Sequence, residues 1–150
     1  MADLIFRAAV RDDVPVILDL YDGGRLPRPG EPEPSEAAYL AAFEAIDADP
    51  RNELIIAELD GEIVGTFQLT YIPSLSRRGV ERVTIEGVHV RADRRGQGLG
   101  RRMMAWALDR ARARGCGLAQ LTSDKRRTDA HRFYASLGFH ATHEGFKIIL

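Results

Sequence analysis

Apolar positions along this 150-residue chain alternate between two periods, and the alternation divides it into short strands and amphipathic helices. Residues 4–8 read as a first strand. Asp12 is placed to cap a helix over 14–21, where Pro15 is tolerated because the first turn leaves its missing N–H unneeded. Residues 23–34 hold four prolines and three glycines, which predicts an extended loop. Ser35 then caps a second helix with Ala38, Ala41, Ala42 and Ala45 on one side and Tyr39, Phe43 and Ile46 available for packing; Asp49 and Pro50 end it. Residues 54–59 and 63–71 flank Asp60 and Gly61, which supply the positive φ angles of a two-residue hairpin turn.

A second irregular segment, 73–79, precedes a strand over 81–90. Beyond it Gly100, Met103, Met104, Ala107, Leu108 and Ala111 recur every three or four residues, the stripe of a helix buried along one side, and Gly115 is placed to end it. Residues 118–122 form a short strand. Ala130, Phe133, Tyr134 and Leu137 give a last short helix closed by Gly138, and 139–150 supply one or two final strands. The order is β, α, α, three β, α, β, α, β, with no internal repeat and no low-complexity tract. The length is that of one domain, 1–150, able to bury about 70% of the surface its unfolded form exposes.

Charge and composition narrow the partners. A formal net charge of −1 argues against a dedicated nucleic-acid binder, although arginines cluster locally. No stretch approaches the roughly 18 apolar residues of a membrane-crossing helix, and the start, Met-Ala-Asp, shows no signal peptide. The single cysteine, Cys116, excludes an intramolecular disulfide and a cysteine-based metal cluster, and the four histidines show no ligand spacing. A cytoplasmic protein without membrane, nucleic-acid or metal partners is expected.

Chemistry concentrates where the strand over 81–90 meets the long helix. Arg95, Gly96, Gln97, Gly98, Leu99 and Gly100 place three glycines at alternate positions, so the backbone can turn tightly and approach a ligand closely. The helix that follows aims its unpaired N–H groups and positive dipole end at whatever fills the turn, which suits an anion. A Walker A loop is excluded because the Lys and the hydroxyl are missing. The dinucleotide fingerprint fails because its third glycine would fall at Arg101. Arg91, Arg94, Arg95, Arg101 and Arg102 crowd the same segment, and guanidinium groups match phosphate oxygens.

Two motifs carry a family resemblance. Arg95, Gly98 and Gly100 match Arg/Gln-x-x-Gly-x-Gly/Ala after a strand ending Val88, His89, Val90; Ala130, Phe133, Tyr134, Gly138 and Phe139 match Ala-x-x-Phe/Leu-Tyr-x-x-x-Gly-Phe. With the element order, these make the chain resemble the GNAT N-acetyltransferase superfamily over nearly its whole length. The resemblance implies an α/β, three-layer α+β fold: a mixed, mostly antiparallel twisted sheet of six to seven strands flanked by about four helices. It implies acetyl-coenzyme A as co-substrate, with no metal. The pyrophosphate would lie on the backbone of Gly96, Gly98, Gly100 and Arg101, within the cofactor-binding run Arg95, Gly96, Gln97, Gly98, Leu99, Gly100, Arg101. The pantetheine arm would pair with the backbone of Val88 and Val90 where two central strands splay apart, with the His89 side chain on the opposite face by alternation.

The resemblance also places the reaction. An acceptor ammonium with pKa about 10.4 costs on the order of 4 to 5 kcal/mol to present neutral at pH 7 unless the site helps. Glu86 is the candidate helper, expected on the face of Val88 and Val90, acting through water or with a pKa raised by burial; the plainer alternative is a strand glutamate paired with Arg82. Tyr134 stands at the family's position for stabilising the departing thiolate, against the alternative of a core aromatic. Many members carry Asn where this chain has Arg127, with Ser123 or Asp124 as substitutes. Residues 122–139 are similar to the subgroup containing aminoalkylphosphonate acetyltransferases, which implies a small-molecule amine acceptor. Its contacts are expected from 23–34 and 73–79 with Gln68, Tyr71, Arg77 and Arg78. A peptide acceptor, a non-catalytic acyl-coenzyme A sensing module and a homodimer stay open.

Overall fold

Residues 3–150 are described by a computed structural model, in two compact units that divide after Gln120. The first unit holds strands β1 (Leu4–Ala8), β2 (Asn52–Leu59), β3 (Glu62–Ile72), β4 (Arg82–Val90) and β5 (Leu118–Gln120). Its helices are α1 (Val14–Asp22), α2 (Glu36–Ala48) and α3 (Leu99–Arg114). The second, Leu121–Leu150, holds α4 (Thr128–Ser136). Among the described residues no helix is long and apolar enough to cross a membrane.

The sheet runs β1-β2-β3-β4-β5, antiparallel throughout except for the parallel β4–β5 pair. Its hairpin register follows from the Asp60-Gly61 turn, where φ is 52° and 79°. Side-chain alternation then divides the two faces. Ile56 pairs with Thr66 on one face, where Ala9, Val14 and Ile17 from the α1 side and Phe43 of α2 pack with Ile56. Ile55 pairs with Phe67 on the other face, where Trp106 of α3 lies 4.9 Å from Phe6 and 5.9 Å from Phe67 between ring centres. The helix presses close there: a Cβ on Gly65 would sit 2.7 Å from the Met103 sulfur. Met103, Met104 and Ala107 are fully buried, and Leu99 joins this stripe while Leu108 is only half-buried. Full burial of a Met-sized side chain stabilises by about 1.5 to 3 kcal/mol.

Three expectations change. The sheet has five strands rather than six or seven, because 139–150 form no ladder. That segment makes a local turn from Thr142 N–H to His140 C=O, and Phe146, Ile148 and Leu150 stay exposed. An apolar pattern becomes a strand only when a neighbour takes its backbone bonds. The start of α1 is set by Asp13 rather than Asp12: a 3₁₀ turn over Arg11–Asp13 leads into the helix. The buried Asp13 carboxylate accepts the Val10 N–H at 2.7 Å and two Arg7 donors at 2.6 and 2.9 Å. Tyr71, expected near the acceptor, is 2% exposed and donates to Glu53 at 2.7 Å. Glu53 in turn accepts from Arg110 of α3, so Tyr71 faces away from α1.

The bond to Arg7 holds the Asp13 carboxyl below the usual carboxylate range. Its stabilisation is complete above the unfolded aspartate pKa and disappears as pH falls through the lowered folded value. Asp13→Asn is expected to lower stability at pH 7 by about 2 kcal/mol, and urea unfolding at decreasing pH should show the difference from wild type shrinking below about pH 4.

Candidate functional site

Strand β4 carries one residue more than β3 can match. Gln68 pairs with Glu86 and Thr66 with His89, so two residues of advance on β3 meet three on β4. The extra residue is absorbed at Gly87, whose φ of +60° lies where side chains other than glycine are strained. The bulge shifts the alternation expected from the sequence. Thr66 and Gln68 point to one face, and their partners His89 and Glu86 therefore share it, the α1 side. Val90 pairs with Gly65 and lies with the α3 side, while Val88 sits half-buried in the bulge. Glu86 thus does not share the face of Val90, and His89 is not opposite to Glu86.

The second edge of β4 is mostly open. Strand β5 pairs only with Arg82, Val83 and Thr84, so from Ile85 to Val90 that edge has no strand partner within its unit. A strand edge with unpaired N–H and C=O groups is a template for an extended ligand. The edge leads into the glycine turn, where Gly96 and Gly98 both have φ of +78° and a Cβ on either would meet nothing within 4 Å. Helix α3 starts at once: Arg102 N–H bonds to Gly98 C=O, and the N–H groups of Leu99, Gly100 and Arg101 precede the first intrahelical bond. Leu99 is buried and anchors the turn, whereas Gln97 and Arg101 are exposed.

The arginines of this segment differ in what they hold. Arg91 is bonded to Asp93 and Glu62, and Arg94 to Glu62, so these two are largely neutralised; the pair holds the Glu62 carboxyl below its usual range. Arg95 spans the site, donating to Val90 C=O at 3.3 Å and to Gly23 C=O, just past α1, at 3.2 Å. Glu86 is exposed, and its carboxylate is in no ion pair among the described residues, Arg82 included. Gln68 lies half-buried beside it.

Sequence reasoning missed Tyr21. Its ring centre lies 5.0 Å from that of His89, tilted by 53°, and a Cβ on Gly87 would come within 3.2 Å of its hydroxyl. Burial pushes its phenol pKa up. The only sequence signal is its place in the helical stripe Val14, Ile17, Leu18, Tyr21, which reads equally as core.

The matched family model, "Acetyltransferase (GNAT) family", covers residues 18–139, from α1 through the glycine turn to the residue after Gly138. The chain belongs to this family. As a member it is an acetyltransferase. It is 33% identical over 109 residues to the aminoalkylphosphonate N-acetyltransferase of Salmonella typhimurium strain LT2, covering 73% of this chain and 70% of that one. It is 33% identical over 96 residues to the streptothricin acetyltransferase of Streptomyces lavendulae, covering 64% of this chain and 48% of that one. A solved structure, a transcriptional regulator from Bacillus halodurans C-125, is 44% identical and superposes with a TM-score of 0.87 over 97% of this chain and 99% of that one.

The second GNAT motif lies in the second unit. Tyr134 is half-buried on α4, edge-on to Phe133 at 5.2 Å and Phe139 at 5.9 Å. Burial raises its phenol pKa, and the charge of Arg127 partly opposes that. Phe139 N–H and Leu137 N–H both bond to Tyr134 C=O, and Gly138, with φ of +97°, makes the turn between them. Asp124 holds Arg126 at 2.8 and 2.9 Å and receives its backbone N–H at 2.9 Å.

A side chain at Gly87 would have to adopt the left-handed region and displace the Tyr21 hydroxyl. Gly87→Ala is expected to destabilise the fold by about 1 to 2 kcal/mol, read as a lower urea midpoint with an unchanged slope.

Proposed function

We propose that this acetyltransferase moves an acetyl group from acetyl-coenzyme A to the primary amine of a small molecule in the cytoplasm, by direct attack of the amine on the thioester. The open β4 edge running straight into the glycine turn is the observation that carries the reading. The backbone of Val88 and Val90 offers the bonds an extended pantetheine arm needs, and His89 lies in the same run. The pyrophosphate belongs on the N–H groups of the turn Arg95, Gly96, Gln97, Gly98, Leu99, Gly100 and Arg101, where the dipole of α3 favours negative charge.

In the reaction the amine nitrogen bonds to the thioester carbon, the carbon–sulfur bond breaks, and the amine loses a proton. Glu86 is exposed and, among the described residues, in no ion pair, which supports its taking that proton through a water rather than by direct contact. Tyr134 supplies a hydroxyl for the charge that develops on sulfur. Full transfer from a phenol of pKa about 10 to a thiolate of about 8.5 is uphill by roughly 2 kcal/mol, so a hydrogen bond is the more economical form of help; the upward shift at Tyr134 favours it further.

The relatives with named acceptors act on an aminoalkylphosphonate and on streptothricin, which supports a small amine here. A second reading, an acyl-coenzyme A sensing module without turnover, draws on the likeness to the Bacillus halodurans regulator. Thiol release from acetyl-coenzyme A should be measured against aminoalkylphosphonates, polyamines, amino acids, aminoglycosides and peptides. Turnover with a small amine establishes the transfer reading, and tight cofactor binding with no turnover on any of them establishes the sensing one. Tyr134→Phe is expected to lower kcat by about 10²-fold with little change in acetyl-coenzyme A affinity. Glu86→Gln should flatten the acidic limb of the pH–rate profile; an unchanged profile removes Glu86 from the reaction.

A further inference from the structure

The face of β4 that carries Glu86 has a second polar group aimed along it, and nothing above gives that group a task. Tyr21 ends α1 with its ring against His89 and its hydroxyl beside Gly87, the residue that follows Glu86. Among the described residues the hydroxyl has no hydrogen-bond partner, although the ring is partly buried. Phe would fill the same volume, so the oxygen is what Tyr21 adds at this point of the face. Glycine at position 87 leaves room for that oxygen: with a Cβ there the contact would tighten to 3.2 Å.

At the bulge, Gly87 stands between Glu86 and the strand residues that Tyr21 packs on, and a Cβ there would meet the Tyr21 hydroxyl at 3.2 Å. Cross-strand pairing puts Gln68 and Thr66 on the same face, and Thr66 is already committed to Ile55 C=O at 2.8 Å. Among the described residues, the Glu86 carboxylate, the Tyr21 hydroxyl and the Gln68 amide near Gly87 hold no side-chain hydrogen bond.

We infer that Tyr21 positions the acceptor: its hydroxyl oxygen accepts one N–H of the incoming amine while the Glu86 side takes the other, so that the lone pair is turned toward the thioester carbon. This rests on the transfer reading above. A neutral primary amine has two N–H donors and one lone pair, so two fixed acceptors on one side of the nitrogen leave a single direction for attack. The tilted ring of His89 packs against the Tyr21 ring, and Arg95, bonded to Gly23 C=O, holds the end of the helix that carries it.

Tyr21→Phe tests the assignment, because it keeps the ring and its tilted packing against His89 and removes one oxygen. With an amine that the wild-type chain acetylates, KM for the amine is expected to rise about tenfold while kcat changes less than threefold. The Kd for acetyl-coenzyme A and the melting temperature should stay within twofold and about 2 °C of wild type, respectively. An amine KM within twofold of wild type overturns the inference, and so does a loss of cofactor affinity in step with turnover, which would make Tyr21 scaffold. If the wild-type chain acetylates no amine, the transfer reading falls and this inference with it; wild-type turnover with an unmoved KM in the variant removes the inference alone.

Discussion

Strand β4 must satisfy its backbone with too few neighbours. It is laddered to β3 along nearly its whole length but to β5 over only three residue pairs, and the rest of its outer edge is left for something other than sheet. Unpaired backbone groups inside a protein cost free energy on the scale of a lost hydrogen bond each. The surrounding sequence deals with this deficit in two ways. The chain after Val90 returns as a glycine turn whose Arg95 reaches back to Val90 C=O, and the length before it stays open within its unit.

The bulge at Gly87 is the second consequence of the same strand. One extra residue turns His89 to the side of Glu86 and sends Val90 to the side of α3. Without it, the charged and aromatic groups of β4 would divide between the two faces. One strand thereby offers two different surfaces, backbone groups on its open edge and the side chains of Glu86 and His89 on its α1 face.

Most of the fold was legible because its signals are local. The Asp60-Gly61 turn, the Ser35 cap, the methionine stripe of α3 and the Gly115 and Gly138 stops each depend on residues a few positions apart. What failed to appear in the sequence depends on partners distant along it. The strand pattern over 139–150 has its apolar residues but no ladder, and Tyr71 looked like a loop-side contact until Glu53 and Arg110 claimed its hydroxyl. The faces of β4 were misassigned although a signal existed, since a glycine inside a strand pattern marks a bulge. The turn from Arg95 to Gly100 is legible from its glycine spacing ahead of a helix and Tyr134 from the family resemblance, whereas Tyr21 belongs to no motif and emerges only from its packing on His89.

Arg95 joins two parts of the chain that lie far apart in sequence, the start of the 23–34 loop and the last residue of β4. A guanidinium has five N–H donors in one plane, and Arg95 uses the one on Nε and one on Nη2 to hold these two carbonyls. The place of the loop after α1 and the end of β4 are therefore tied through the same side chain. Loss of that one side chain would release both carbonyls at once, so a single substitution loosens two segments that share no stretch of sequence.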